Sequence, residues 1–130
     1  MGQIYSTFTH INYKDLQNKI GTSIILLNTL SIDHQQYLIK GTMAASNETI
    51  LMNDHLKKNR NIEIIVYGRD HYDNSVVTKY NQLKKLGFTN VTIYFGGLFE
   101  WSLLQDIYGN TNFQTDGTIK DPLQISQYKN

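Results

Sequence analysis

The sequence predicts an α/β domain with one open, mainly parallel sheet and helices on both faces. Three observations predict it. TSIILLN (22–28), IEIIVYG (62–68) and VTIYF (91–95) are apolar runs of strand length. Runs without polar alternation suit strands covered on both faces, as in parallel sheets. The segments between them repeat apolar residues at three- or four-residue spacing, the period of one helix face. Glycines close several of these units, at positions 21, 68 and 87. Strands alternating with helices give an open sheet with a helix layer on each side.

Each element has its own local reason. Residues 1–10 show no clear periodicity. Asn12 can cap a first helix, with Asp15 in the first turn favoured by the helix dipole. Tyr13, Leu16 and Ile20 then share one face, and Gly21 ends the helix. The run 22–28 is the first strand, and YLIKGT (37–42) a short second one turning at Gly41. Ser46 is the expected cap of a helix through Lys58. IEIIVYG is the strongest strand, β-branched and closed by Gly68. Asn74 or Ser75 caps the next helix, whose face is Val76, Tyr80, Leu83 and Leu86, ending at Gly87. After the strand 91–95, Leu98, Trp101, Leu104 and Tyr108 form the stripe of a last helix. Residues 110–130 are polar, hold the single proline, and read as a surface extension. The chain thus divides into an N-terminal segment (1–10), a folded domain (11–108) and a C-terminal polar extension (109–130). Ile25, Leu27, Ile64, Val66, Leu83, Val91, Ile93 and Trp101 are the expected core.

Composition excludes several function classes. With 130 residues, 40% hydrophobic and 18% charged, the chain is one ordinary folded domain. The absence of cysteine rules out disulfides, thiolate catalysis and cysteine-ligated zinc. A net charge of +1 gives no broad basic footprint for nucleic acid. No apolar run approaches the ~20 residues of a membrane span. The richness in Ile, Asn, Tyr and Lys suggests an AT-rich genome, such as that of a large DNA virus or a protist, and says nothing about fold.

Open α/β sheets carry function at the carboxyl ends of their strands. Here these ends are Asn28-Thr29-Leu30, Gly68 to Asn74, and Gly96-Gly97. The middle loop, Gly68-Arg69-Asp70-His71-Tyr72-Asp73-Asn74-Ser75, holds most of the polar chemistry. Asp70, His71 and Asp73 offer an acid/base set in principle. Asp-His recurs at 33–34, 54–55 and 70–71, a pairing compatible with metal ligation. The plainer reading is exposed polar residues in turns and on a helix, so no metal or cofactor is expected. Tyr72 lies mid-loop, either an exposed contact anchor or a ring folded over the next helix.

Several stretches together resemble the rhodanese-like family. ILLNTL (25–30), IKGT (39–42), IIVYG (64–68), LKKLGFTNV (83–91) and GGLFEW (96–101) are similar to its elements in the same order, across about residues 11–108. The resemblance implies that Gly68 stands in the position of the family's catalytic cysteine. It also implies that Asp73 and Asn74 occupy the neighbourhood where the family's loop ends in an anion-holding arginine. Asn28 and Leu30 replace an acidic and a basic residue after the first strand. Persulfide transfer and cysteine phosphatase chemistry both need a thiolate, so the resemblance implies a catalytically inactive, cysteine-free member. A loop of this kind, next to a helix N-terminus, favours an anion. Yet a carboxylate ~4 Å away opposes one by about 4 kcal/mol at an effective dielectric of ~20, before solvent reduces it. Asp70 and Asp73 against Arg69 therefore leave the loop neutral or cation-tolerant.

The functional expectation is a non-catalytic binding or regulatory domain that meets a protein partner through residues 68–75. The alternatives are a cysteine-free enzyme using Asp70, His71 and Asp73, or a structural virion component. The opening MGQIYS fits an N-myristoylation pattern with Gly2 as acceptor. A single acyl chain supports only weak, reversible membrane association. The expected location is the cytoplasm, with peripheral membrane or virion association as the extension of the Gly2 reading.

Overall fold

The computed structural model describes residues 8–117 and 121–127. Its main sheet has four strands: β1 (His10–Ile11), β2 (Ile24–Asn28), β4 (Glu63–Tyr67) and β5 (Val91–Tyr94), in the order β1-β5-β4-β2. Every pairing in it is parallel. The helices are α1 (Tyr13–Lys19), α2 (Ala45–Lys58), α3 (Ser75–Leu86) and α4 (Gly97–Tyr108).

The apolar runs owe their lack of alternation to burial on both faces. Ile25, Leu27, Ile64, Val66, Val91 and Ile93 point to one side, where Met52 of α2 and Val76, Tyr80 and Leu83 of α3 cover them. Leu26, Ile65, Tyr67 and Tyr94 point to the other, against Leu16 of α1 and Leu98 and Trp101 of α4. The eight residues expected in the core are all buried.

Local signals place α1 and α3. The Asn12 side chain accepts the Asp15 N–H at 3.0 Å and caps α1. Gly87, at φ 116°, closes α3 by donating to the carbonyls of Leu83 and Lys84, a position where a side chain would be strained.

Four expectations are corrected. Strand β3 (Leu38–Ile39) lies outside the main sheet and pairs antiparallel with β6 (Thr115–Asp116). The cap of α2 is Ala44, without a side-chain bond, and Ser46 lies within the helix. Leu86 and Tyr108, read as ends of apolar stripes, are exposed, and each is the last residue of its helix. The C-terminal residues read as surface extension feed the core. Phe113 and Ile125 are buried beside Trp101, and the Trp101 indole N–H donates to the Gln114 carbonyl at 3.0 Å. Strand β1, too short for any periodicity, extends the sheet beyond β5.

Candidate functional site

The carboxyl ends of β2 and β4 meet the N-terminus of α3. Asn28 is buried and shares two hydrogen bonds with the Gln35 side chain. Its Oδ1 also accepts the Leu30 N–H. Leu30 is buried in the core. The two positions at which the family resemblance implies charged residues are thus used for structure.

Between Tyr67 and Ser75 the chain closes on Asp73. Asp73 is 9% exposed. Its Oδ2 accepts the Arg69 N–H at 2.9 Å, and its Oδ1 accepts the Ser75 N–H at 3.0 Å. The Ser75 hydroxyl donates to Oδ1 at 2.5 Å and lies 2.6 Å from Thr29 Oγ1. A carboxylate receiving backbone N–H groups at a helix start is held as a cap holds one. This corrects the expectation of Asp73 as an outward charge. It is an internal anion, taken up by the N–H groups that such a loop would turn to an external one. It also takes over the capping role expected of Asn74 or Ser75, since Asn74 makes no side-chain cap bond.

Gly68 leaves little room. A Cβ there would lie 2.6 Å from Asp73 Oδ2 and 2.9 Å from both Thr29 Oγ1 and Val76 Cγ1. The loop is also pinned from α4, whose Leu98 and Phe99 N–H groups donate to the carbonyls of Gly68 and Arg69. Gly97 permits that approach, at φ +70° with Gly68 O 2.8 Å from its absent Cβ.

Of the remaining loop residues, His71, Tyr72 and Asn74 are exposed, whereas the Arg69 and Asp70 side chains are partly buried. Asp70 Oδ1 accepts the Tyr72 N–H at 3.0 Å and Oδ2 the Arg69 Nε–H at 3.3 Å. His71 packs edge-on against Tyr72, with ring centroids 4.9 Å apart. Tyr72 is 79% exposed, so it does not fold over α3. Among the described residues, no three His, Asp or Glu side chains gather as metal ligands would. Of the three Asp-His pairs, Asp54 pairs with Lys58 and His34 bonds Ser31. Gly2 lies outside the described residues.

Beside the loop is a groove that the sequence did not announce. Its open volume is about 860 Å³. It is lined by Asp70, His71 and Tyr72 of the loop, by residues at the ends of β1 and β5, and by Phe99, Glu100 and Leu103 of α4. Asp73 is not among the lining residues, so the set Asp70, His71 and Asp73 does not share this surface. The one available signal was Phe99 and Leu103, apolar positions off the Leu98–Trp101 stripe. Both Tyr94 and Glu100 line the groove, and the Tyr94 hydroxyl donates to Glu100 Oε1 at 2.6 Å. Burial, and then that carboxylate, push the Tyr94 phenol far above its ordinary range, so it stays a neutral donor.

A family model described as rhodanese-like domain matches residues 15–104. No curated protein matches the sequence. Among solved structures, the Alr3790 protein from Anabaena sp. is 23% identical, covering 90% of this chain and 87% of that one with a TM-score of 0.62. The BH2092 protein from Bacillus halodurans is 17% identical, with 90% and 82% covered and a TM-score of 0.65. The anaerobic ergothioneine biosynthesis enzyme from Chlorobium limicola, solved with its natural substrate trimethyl histidine, is 17% identical. That match covers 72% of this chain but 26% of the enzyme, with a TM-score of 0.55. These likenesses establish the α/β fold. They add nothing to the viral origin suggested by composition.

Proposed function

This chain belongs to the rhodanese-like domain family, and on that premise we propose that it is a non-catalytic member. It acts as a binding or regulatory domain whose 68–75 loop forms part of the contact surface. One observation carries the reading: Asp73 fills the space beside Gly68 and takes up the N–H groups of Arg69 and Ser75. Where a nucleophile and a bound anion would be needed, the chain supplies its own carboxylate and no thiol.

The exposed Tyr72 and the groove behind it supply the surface. An exposed aromatic beside apolar walls is a common anchor for a protein partner. From the sequence, a binding module is expected to offer a flatter patch containing Tyr72, and an enzyme a concave pocket with converging polar groups. The surface is concave, as the enzyme reading expects, but its lining is mainly apolar. The competing enzyme reading fits less well, since Asp73 is committed to the loop backbone.

The setting we infer is cytoplasmic. Acylation at Gly2 would add weak, reversible attachment to a membrane or a particle layer. No helix among the described residues is long and apolar enough to cross a membrane.

The test is affinity capture from the native host cell with wild type and Tyr72→Ala, matched for melting temperature. Proteins captured by wild type and lost with the variant are the expected result. Identical captured sets would overturn the reading of the loop as a contact surface.

A further inference from the structure

The groove has a chemical preference of its own. Its walls are mainly apolar and aromatic, from Ile11, Tyr13, Phe95, Phe99 and Leu103. Among the described residues, no lysine or arginine lines it, whereas two carboxylates do, Asp70 and Glu100. Asp70 is already balanced by Arg69 at 3.3 Å. Among the described residues, Glu100 has no ion pair of that kind. Its described partner is the neutral Tyr94 hydroxyl, on Oε1.

That combination selects the sign and the shape of an occupant. A carboxylate among mainly apolar lining residues favours a cation over an anion or a neutral group. Aromatic walls add to the attraction for ammonium or guanidinium heads. Lysine and arginine match both features, with a long apolar stem and a charged tip.

We propose that the groove receives a basic side chain of a protein partner, its stem against Phe99 and Leu103 and its charge at Glu100. The inference rests on the binding-domain reading and names the chemistry of the partner. Tyr72, at the rim, flanks the entering segment.

The test uses amide NMR spectra of the full chain titrated with three capped pentapeptides. Each has leucines around a central lysine, norleucine or glutamate. The lysine peptide is expected to shift the amides of Tyr72, Tyr94, Phe99 and Glu100. The norleucine peptide should bind about ten-fold more weakly and the glutamate peptide more weakly still. Glu100→Gln keeps an acceptor for Tyr94 and should erase the preference for lysine while leaving the fold intact. Equal affinity for lysine and norleucine would overturn the proposal, as would shifts confined to another face. So would silence of the lysine peptide at millimolar concentration. A partner whose capture depends on Tyr72 but not on Glu100 would keep the binding function and sink the cation.

Discussion

Asp73 Oδ2 lies 2.6 Å from the point where a side chain on residue 68 would begin. The two positions are therefore alternatives: a side chain at 68 or this carboxylate in the loop. Gly68→Cys should be destabilised by about 1–3 kcal/mol, the cost of overpacking a filled site. It should also show no thiocyanate production from thiosulfate and cyanide, because the internal carboxylate opposes a bound anion. Robust activity from that single change would mean that Asp73 swings out readily.

The same relationship makes the two sites non-additive. Asp73→Gly alone strands the partly buried N–H groups of Arg69 and Ser75, each at the lower end of the about 1–3 kcal/mol that a buried unsatisfied group costs. Gly68→Ala placed in that background should then cost less than in wild type, since its main obstacle is gone. Urea unfolding of the four proteins checks it. Strict additivity would show that the crowding comes from Thr29 and Val76 instead.

Gly97 holds the loop by absence of a side chain. A Cβ at residue 97 would meet Gly68 O at 2.8 Å, on a backbone already at φ +70°. Gly97→Ala should cost more than about 2 kcal/mol, from left-handed strain and displacement of backbone together. Gly41 is the control, with φ +85° and nothing within 4 Å of its absent Cβ. Gly41→Ala meets the strain alone and should cost about half as much. Equal losses for the two would remove the close approach as the reason for Gly97.

Which of these features the sequence disclosed follows from their range. The strands at 24–28, 63–67 and 91–94, and the caps at Asn12 and Gly87, are written in neighbouring residues, and burial on two faces or one φ angle enforces them. Asp73 is visible in the sequence only as a charge. Whether it points out or in depends on which N–H groups the loop turns inward. The groove depends on distant segments, with Ile11, Tyr72 and Phe99 brought together only by the sheet order. The antiparallel pair of β3 with β6 joins residues almost eighty positions apart, and nothing local marks Leu38 or Thr115 for it. Phe113 is a lone apolar residue in polar surroundings, and Ile125 has the exposed Leu123 two positions before it, so no period reveals which of them is buried.

Trp101 ties that C-terminal segment to the sheet. It is fully buried and edge-on to Phe113 at 5.1 Å and to Tyr94 at 6.2 Å. Trp101→Ala should cost about 3–5 kcal/mol. Truncation after Tyr108 removes Phe113, Ile125 and the Gln114 carbonyl together, and uncovers the indole. Its fluorescence should shift to the red and the melting temperature should fall in both proteins. A truncated chain with unchanged melting would return residues 109–130 to the status of a surface extension.

Two buried phenols set the response to alkali. Burial raises the Tyr67 pKa, although bonds with Thr42 and the Ile39 N–H partly oppose it. Burial and Glu100 raise that of Tyr94. In the unfolded chain both should ionise near the ordinary value of about 10. Below that pH both states keep the protons, and these groups give stability no pH dependence. Above it the unfolded state loses protons that the folded state retains. The unfolded chain then binds fewer protons, and stability falls as pH rises. Each phenol should contribute a slope of about 1.4 kcal/mol per pH unit above pH ~10. Urea unfolding at a series of alkaline pH values measures the sum. Tyr67→Phe and Tyr94→Phe should each make the slope shallower by about one proton, whatever their effect at neutral pH. Tyrosinate absorbance from these two rings should appear with unfolding and not before it. An unchanged slope in Tyr94→Phe would mean that this phenol ionises within the fold, and that Glu100 is not facing a permanent neutral donor.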